Sequence, residues 1–261
     1  MNTWEAILLG IIQGLTEFLP ISSSGHLELG NIILGLEESS LSFAIVVHGA
    51  TVLSTIVILF NEIARLFKGI FPLKWNESNK YILKLLVSTI PVIFVGFLLE
   101  EKIEGLFSGN LIFVGSMLLI TAFLLLFTYW ARPKSKKISF FDALIIGVAQ
   151  AFAVIPGISR SGSTIATGLI LGNKKEDVAK FSFLMVLIPI IGANLLDLIS
   201  GDFGKNPGIS AEVLIAGFIA AFITGLFACK WMLNLVKKGK LYYFAIYCAI
   251  IGSIAIIIGR F

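Results

Sequence analysis

The chain has 261 residues, of which 57% are hydrophobic and only 14% charged, and its mean hydropathy is +0.96. This composition excludes an ordinary soluble domain and indicates a polytopic membrane protein. The net charge of +4 does not indicate a nucleic-acid partner, because the cations lie in short clusters between apolar stretches. We interpret those clusters as signals that orient the chain in its membrane.

The first apolar stretch, residues 3–34, is broken by proline, serine and glycine. Its segment 10–25, GIIQGLTEFLPISSSG, recurs without a gap at 147–162 as GVAQAFAVIPGISRSG, which indicates a tandem duplication. The apolar pieces beside each break are too short to span a membrane, so 3–34 and 140–172 are predicted to form re-entrant helical hairpins. Lipid cannot satisfy the backbone groups at helix ends, so matching breaks in two halves predict a buried polar site where the hairpins meet.

Six further stretches are long enough to span the bilayer as helices. They are 43–60, 81–99, 110–130, 181–199, 211–230 and 241–259. Each copy then contains one hairpin and three spans, with the first repeat at 1–137 and the second at 138–261 of a single integrated domain. Because three is odd, the second repeat should be upside down. The predicted fold is an all-α polytopic membrane protein made of two inverted-topology repeats.

The distribution of basic residues predicts the orientation of these segments. Sixteen of the 20 Lys and Arg residues fall in four loops or their flanks, at 61–84, 131–139, 173–180 and 230–240. The alternate connections, 100–109 and 200–210, hold only Lys102 and Lys205. The basic loops belong inside, so both termini are predicted outside. The first hairpin then enters from outside, and the second rises from the cytoplasm to meet it near the midplane.

The first hairpin concentrates polar side chains around Pro20. Gln13 and Glu17 are four residues apart and therefore share one helical face. Hydroxyls and glycine form the tip, and an imidazole follows. The tip residues are Ser22, Ser23, Ser24, Gly25 and His26. Hydroxyls and backbone N–H groups at a helix N-terminus suit an anion, above all phosphate.

The second hairpin repeats this arrangement with a guanidinium in place of one hydroxyl. Its tip contains Ser159, Arg160, Ser161, Gly162, Ser163 and Thr164. Arg160 is the only cation within an apolar segment far from any end. Ionisable residues at such depth are functional by default, because burying them is costly. A plain ion pair between Glu17 and Arg160 that pins the repeats together is the structural alternative.

Other polar residues have ordinary structural interpretations. Serines at a helix start commonly act only as caps, which is the alternative for Ser22, Ser23 and Ser24. Gln150, the counterpart of Gln13, is expected only to hydrogen-bond between helices. His48, near the outer end of a span, is expected to be a satisfied core or interface histidine. The two cysteines, Cys229 and Cys248, lie in apolar stretches and indicate neither a disulfide nor a metal cluster.

These motifs resemble those of the undecaprenyl-diphosphate phosphatases of the bacitracin-resistance type. The segment from Gln13 to Glu17 looks like the family's [E/Q]-x-x-x-E motif. PGISRSGST at 156–164 matches its PGxSRSxxT motif in full, and His26 fits its histidine after the serine-glycine tip. The resemblance covers essentially the whole chain. Gln13 stands where some members have Glu, so this position supplies no charge here.

The resemblance implies an integral membrane phosphatase that converts undecaprenyl diphosphate to undecaprenyl phosphate and inorganic phosphate. Such an enzyme recycles the lipid carrier of cell-wall synthesis and confers bacitracin resistance. It would act in the bacterial inner membrane among membrane lipids, with its active site open to the outside. The resemblance is compatible with a homodimer and does not decide the oligomeric state.

In that reaction Arg160 would bind phosphate through bidentate bonds. Ser23 can share a helical face with His26, so we expect Ser23 as nucleophile and His26 as acid/base. Glu17 would bind a divalent cation, Mg²⁺ or Ca²⁺, or orient the reacting groups. The remaining substrate-binding candidates are Gln13, Ser22, Ser24, Gly25, Ser159, Ser161, Gly162, Ser163 and Thr164. A water nucleophile activated by Glu17 is the competing mechanism.

Three other function classes fit part of the pattern. An inverted-repeat transporter or flippase for a lipid phosphate or another anion would use the same broken helices. A phosphatidic-acid-phosphatase-like enzyme needs a Lys-x6-Arg-Pro block and a second histidine motif, which the sequence lacks. A serine hydrolase is disfavoured, because GISRS at 157–161 departs from G-x-S-x-G at its last position.

The topology can be tested by cysteine labelling of whole cells in a background lacking Cys229 and Cys248. Positions near both termini, Glu38, Lys102 and Lys205 are expected to react with an impermeant reagent. Cysteines at Lys136 and Lys238 are expected to react only after the cells are opened. External labelling at Lys136 or Lys238 would contradict the inverted arrangement.

Overall fold

The computed structural model describes residues 1–36, 41–71, 75–106, 110–131, 136–200 and 209–260, and they are built from helices. The described residues of the first half of the chain form six helices: α1 (Thr3–Thr16), α2 (Ser23–Ile33), α3 (Leu41–Ile58), α4 (Phe60–Ile70), α5 (Glu77–Glu104) and α6 (Leu111–Phe127). Six more follow: α7 (Phe140–Phe152), α8 (Arg160–Ile170), α9 (Lys175–Met185), α10 (Leu187–Ser200), α11 (Ala211–Lys238) and α12 (Tyr242–Ile258). The topology predictions for Glu38, Lys74, Arg132, Lys134 and Lys205 fall outside the described residues.

Both segments with a proline–serine–glycine break form a pair of short helices. α1 and α2 pack on each other, as do α7 and α8. α1 begins at a capping box between Asn2 and Glu5, and α7 begins at one between Ser139 and Asp142. These reciprocal bonds satisfy backbone N–H groups that would otherwise lack partners at the helix start.

Helix length and composition identify the chain as a membrane protein. Within the described part of the chain, three apolar segments are long enough to cross a membrane: Glu77–Leu99, Lys175–Leu196 and Ala211–Lys238. α3 and α4 together would make a fourth, but the chain bends by 75° between them. α6 and α12 have 17 residues each, the lower end of the range that spans hydrocarbon. Large apolar side chains such as Phe97, Phe123 and Phe227 are exposed on the outer surface, where lipid would cover them.

The helix bounds correct several expectations. The basic region at 61–84, which was predicted to be a loop with its flank, contains most of α4, in which Ile63, Leu66 and Ile70 recur at helical spacing. α5 and α11 extend beyond the predicted spans, to Glu104 and Lys238. The stretch 181–199 is divided between α9 and α10, because the helix is interrupted at Val186.

Small residues bring the hairpins close to the long helices. A Cβ atom on Gly14 would lie 2.5 Å from the Ala221 carbonyl oxygen, and one on Gly10 would lie 2.4 Å from that of Gly217. α1 and α11 therefore touch backbone to backbone, as small-xxx-small helix pairs do in membranes. α7 and α5 approach each other as closely, because a Cβ atom on Gly147 would lie 2.3 Å from the Ser88 carbonyl oxygen.

Gly14→Val should therefore separate α1 from α11 and destabilise the fold. We expect a loss of about 1–3 kcal/mol, as is usual for overpacking, seen as a lower melting temperature in detergent. Gly96→Ala is the matched control, because nothing lies within 4 Å of a Cβ atom at this helical position. An equal melting temperature for Gly14→Val and wild type would contradict the close packing.

Candidate active site

The two hairpin tips meet in the interior and bond to each other. The Ser161 hydroxyl donates to the Leu19 carbonyl oxygen at 3.1 Å. The Gly157 amide donates to Ser24 Oγ at 3.4 Å. These bonds satisfy polar groups where the backbone leaves its helices, so each tip supplies partners that lipid cannot.

Two tip residues have left-handed backbone conformations. Gly157 has φ of +90° and lies against Val114 of α6, so a side chain would fit neither the conformation nor the space. Ser22 has φ of +68° although it is not glycine. Such a conformation costs free energy and persists only where the surrounding structure enforces it, often at functional sites.

Ser22 and Ser159 have the capping role that serines at helix starts commonly play. Ser22 Oγ accepts a hydrogen bond from the Gly25 amide at 3.3 Å and begins α2. Ser159 Oγ accepts one from the Gly162 amide at 3.1 Å and begins α8. The N-termini of both helices therefore lie at the junction of the tips, a position that favours an anion.

Glu17 is the centre of the polar cluster. Its Oε2 accepts hydrogen bonds from Gln13 Nε2 at 2.9 Å and from Ser23 Oγ at 2.7 Å. Its Oε1 accepts from the Arg160 guanidinium, which forms an ion pair across the two hairpins. The Glu17 side chain is almost fully buried, whereas that of Arg160 is 24% exposed. A guanidinium has five N–H donors, so Arg160 keeps donors available beyond its bond to Glu17.

A cavity of about 350 Å³ lies beside this pair. Its polar wall contains residues of both tips: Glu17, Ser22, Ser23, Ser24, Ser159, Arg160 and Ser161. Val92 of α5 and Pro189, Ile190 and Ala193 of α10 form an apolar wall. The cavity thus combines a polar end suited to a phosphorylated group with an apolar side suited to a hydrocarbon chain.

His26 does not bond to Ser23, contrary to the expectation from their spacing. Its Nδ1 lies 2.8 Å from the Ser22 carbonyl oxygen, and its Nε2 lies 2.9 Å from the Tyr247 hydroxyl of α12. The two rings are also stacked. Ser23 is the first residue of α2 and faces the end of α1, so its hydroxyl reaches Glu17 instead.

His48 lines the cavity and is not simply an interface histidine. Its Nδ1 is 2.9 Å from the Ala44 carbonyl oxygen and so donates to it, which leaves Nε2 with a lone pair. That nitrogen lies 3.8 Å from Glu17 Oε2. Sequence reasoning gave His48 little weight because it stands alone near the outer end of a predicted span.

Several predicted binding residues lie behind the cavity rather than on its wall. They are Gln13, Gly25, Gly162, Ser163 and Thr164. Gln13 holds Glu17, and Thr164 bonds to Ser182 of α9 at 2.6 Å. Gly162 lies against Pro20 of the other tip. These positions support the tips and place the residues that face the cavity.

Two residues that the sequence analysis did not select also hold the tips. Tyr247 bonds to His26 and holds its ring in place. The sequence could have indicated Tyr247, because the hydroxyl of a tyrosine within an apolar helix needs a polar partner. Thr121 of α6 accepts from the Ser159 amide at 3.0 Å and donates to the Gly157 carbonyl oxygen at 3.2 Å. No local pattern marks Thr121, because its partners are more than 35 residues away.

The oxygen donors that line the cavity are suited to bind a divalent cation together with phosphate oxygens of a substrate. No three His, Cys, Asp or Glu residues cluster as a metal site in the part of the chain that the structure describes. Glu17 and the tip hydroxyls are oxygen donors, the kind that Mg²⁺ and Ca²⁺ prefer. One carboxylate is too little for a protein cage, so phosphate oxygens would have to complete the set.

Comparison with known proteins places the chain in a family. A family model described as bacitracin resistance protein BacA matches residues 6–254. The chain belongs to the BacA family. This confirms the resemblance inferred from the two motifs.

Relatives of the BacA-family chain match it over nearly their whole length. A protein of Bacteroides fragilis is 54% identical over 267 residues, covering 100% of this chain and 99% of the relative. One of Parabacteroides distasonis is 54% identical over 260 residues, covering 98% of both. One of Korarchaeum cryptofilum is 41% identical over 261 residues, covering 97% of both. All three relatives are named undecaprenyl-diphosphatase.

The Glu17–Arg160 pair can be tested in the BacA-family chain by folding stability. Arg160→Met should leave a buried carboxylate without its cation and cost about 3 kcal/mol, the low end for breaking a buried pair. Adding Glu17→Gln should restore most of the melting temperature. Lys80→Met is the control, since it removes an exposed pair with Glu77 that contributes little to stability. A double variant no more stable than Arg160→Met would contradict the pairing.

Proposed function

We propose that this chain is an undecaprenyl-diphosphate phosphatase that releases inorganic phosphate and undecaprenyl phosphate. The observation that carries the proposal is Glu17, which accepts from the Ser23 hydroxyl and pairs with Arg160 at the wall of a cavity. A nucleophile, a base and a phosphate-binding cation are thus held together. Membership of the BacA family and relatives named undecaprenyl-diphosphatase support the substrate.

In the proposed reaction Arg160 binds non-bridging oxygens of the terminal phosphoryl group. Phosphoryl transfer needs mainly positioning and charge neutralisation, which a guanidinium and two helix N-termini can provide. The apolar wall on α5 and α10 would receive the first part of the prenyl chain. The substrate is then held by its two chemically distinct ends.

The 2.7 Å bond between Ser23 and Glu17 favours Ser23 as nucleophile and Glu17 as its base. Ser23 Oγ would attack the terminal phosphorus while its proton passes to Glu17. The bond from phosphorus to the bridging oxygen breaks, and undecaprenyl phosphate leaves. Glu17 would give that proton to the leaving phosphate or to solvent, and so become a base again. Water would then attack the phosphoserine, with Glu17 accepting the proton of the water and returning it to Ser23 Oγ as inorganic phosphate is released. Direct attack by a water molecule activated by Glu17 is the competing route.

His26 would hold the first tip in place rather than serve as the base for Ser23. Both of its ring nitrogens have partners, in Ser22 and Tyr247. Its bond to the Ser22 carbonyl oxygen holds a residue in the left-handed conformation at the start of α2. We assign His26 the role of maintaining the tip that presents Ser23.

A bound divalent cation, Mg²⁺ or Ca²⁺, would supply positive charge to a diphosphate that a single arginine leaves largely uncompensated. Glu17 and the hydroxyls of the first tip would hold it together with substrate oxygens. His48 Nε2 lies 3.8 Å from Glu17 Oε2 and would therefore border the position of the bound cation.

We further propose that the two halves are inverted repeats in the bacterial inner membrane, with external termini and a cavity open to the outside. The packing supports this arrangement. Gly10 of α1 lies against α11, and Gly147, at the matching position of α7, lies against α5. α6 and α12 cross where Gly115 and Gly252 each face the other's carbonyl oxygen. The positive-inside rule supports the orientation.

Phosphate release from a C15 or C55 prenyl diphosphate by purified protein in detergent tests the activity. A transporter or flippase would release no phosphate under these conditions, because transport produces none. We expect multiple turnovers by the wild-type protein. No release with any divalent cation would overturn the proposal in favour of transport.

Arg160→Lys separates catalysis from simple pairing. Lysine keeps the charge and can still pair with Glu17, but it lacks the planar fork that contacts two phosphoryl oxygens. Turnover should fall on the order of 10²–10³-fold, as when one transition-state donor is removed, while the melting temperature changes little. Ser23→Ala should be comparably impaired. Near wild-type turnover for Arg160→Lys would show that the guanidinium is structural.

Removal of divalent cations should abolish activity. Chelation followed by gel filtration is expected to stop phosphate release, and added Mg²⁺ or Ca²⁺ should restore it. Glu17→Gln should lose nearly all activity even with excess cation, because it removes the carboxylate that serves as base and ligand. Full activity of thoroughly demetallated protein would exclude the cation from the reaction.

A further inference from the structure

The side chain of Gln150 lines the cavity without a partner. It lies in the last turn of α7, is 1% exposed, and borders the cavity together with Arg160 and Ser159. Neither its Nε2 nor its Oε1 has a hydrogen-bond partner among the residues that the structure describes. It was expected to hydrogen-bond between helices, and that expectation is wrong.

The duplicated sequence shows what Gln150 lacks. Its counterpart Gln13 donates to Glu17, four residues further along the same helix end. The residue four positions after Gln150 is Val154, which offers no acceptor. The second copy therefore has the carboxamide without the carboxylate that it would bind.

A buried carboxamide without partners destabilises a protein, because each polar group loses its hydrogen bonds to water and gains none in return. An apolar residue of similar shape would avoid that cost. Gln150 borders a cavity whose other polar groups are those of the proposed phosphatase. The polar contacts that it lacks are therefore available from whatever occupies the cavity.

We propose that Gln150 is a further substrate-binding residue of the phosphatase. Its Nε2 donates to an oxygen of the diphosphate, and its Oε1 accepts a hydrogen bond from a water molecule held in the same cavity. The inference rests on the proposed function, since it names an additional contact for the same substrate. It places the diphosphate between the two hairpins, with Arg160 and Gln150 both contributed by the second.

Gln150→Met tests the inference, because methionine has a similar length and shape but no donor or acceptor. The measurements are kcat and KM for phosphate release from a C15 prenyl diphosphate, and the melting temperature with and without inorganic diphosphate. We expect kcat/KM to fall about 10- to 100-fold, as for loss of a hydrogen bond to a charged group. Without ligand, the melting temperature should stay equal or rise. Inorganic diphosphate should stabilise the variant less than wild type.

Two more variants sharpen the result. Gln150→Glu keeps the shape and replaces the donor by a negative charge, so it should lose more activity than Gln150→Met. Asn31→Leu is the control, because Asn31 Oδ1 is also buried without a partner but does not line the cavity. Its activity should match that of wild type.

The outcomes separate this inference from the proposed function. If wild type releases phosphate and Gln150→Met does so with equal kcat/KM, only the assignment of Gln150 fails. A large drop in melting temperature without ligand, or failure of the variant to fold, would show that Gln150 is structural. If wild type releases no phosphate, the proposed function fails. Equal stabilisation of wild type and variant by inorganic diphosphate would then overturn the Gln150 contact as well.

Discussion

The bond between Glu17 and Arg160 joins the two hairpins at the point where both backbones break. A helix that ends within a membrane leaves backbone groups without partners, and lipid supplies none. Here each tip provides polar partners for the other: Ser161 for Leu19, and Ser24 for Gly157. The charges add the strongest of these contacts, since a carboxylate and a guanidinium at this depth must be paired or hydrated. The groups that stabilise the junction are also those to which we assign binding and cleavage of the diphosphate.

Close helix packing makes this junction possible. The broken helices α1 and α7 reach the interior because Gly10, Gly14 and Gly147 let them touch α11 and α5 backbone to backbone. Lipid tails are as apolar as the side chains, so such contacts, rather than hydrophobic burial, hold membrane helices together. Larger residues here would move the tips apart and separate Glu17 from Arg160. Site geometry therefore depends on glycines distant from the cavity.

The cavity is asymmetric although the two hairpins are similar in sequence. The first hairpin contributes Glu17 and Ser23, a base and a hydroxyl already joined by a hydrogen bond. The second contributes Arg160 and the unpaired amide of Gln150, both suited to hold an anion. Duplication thus provides two equivalent helix N-termini, and substitution gives them different chemistry. Phosphoryl transfer needs such a division between attacking and binding groups.

The sequence alone determined the class of protein and most of the polar cluster. Composition identified the membrane, the duplication identified both hairpins, and the cost of burying charge singled out Glu17 and Arg160. Those features are local or repeat along the chain, so they can be read from one sequence.

Only the tertiary structure decided which side chains meet. Helical spacing paired Ser23 with His26, but Ser23 is the first residue of α2 and reaches Glu17, while His26 turns to Tyr247. His48, Thr121 and Tyr247 enter the site from three other helices. Their contacts depend on where distant segments cross, and crossings are set by packing between surfaces rather than by the spacing of residues along one helix.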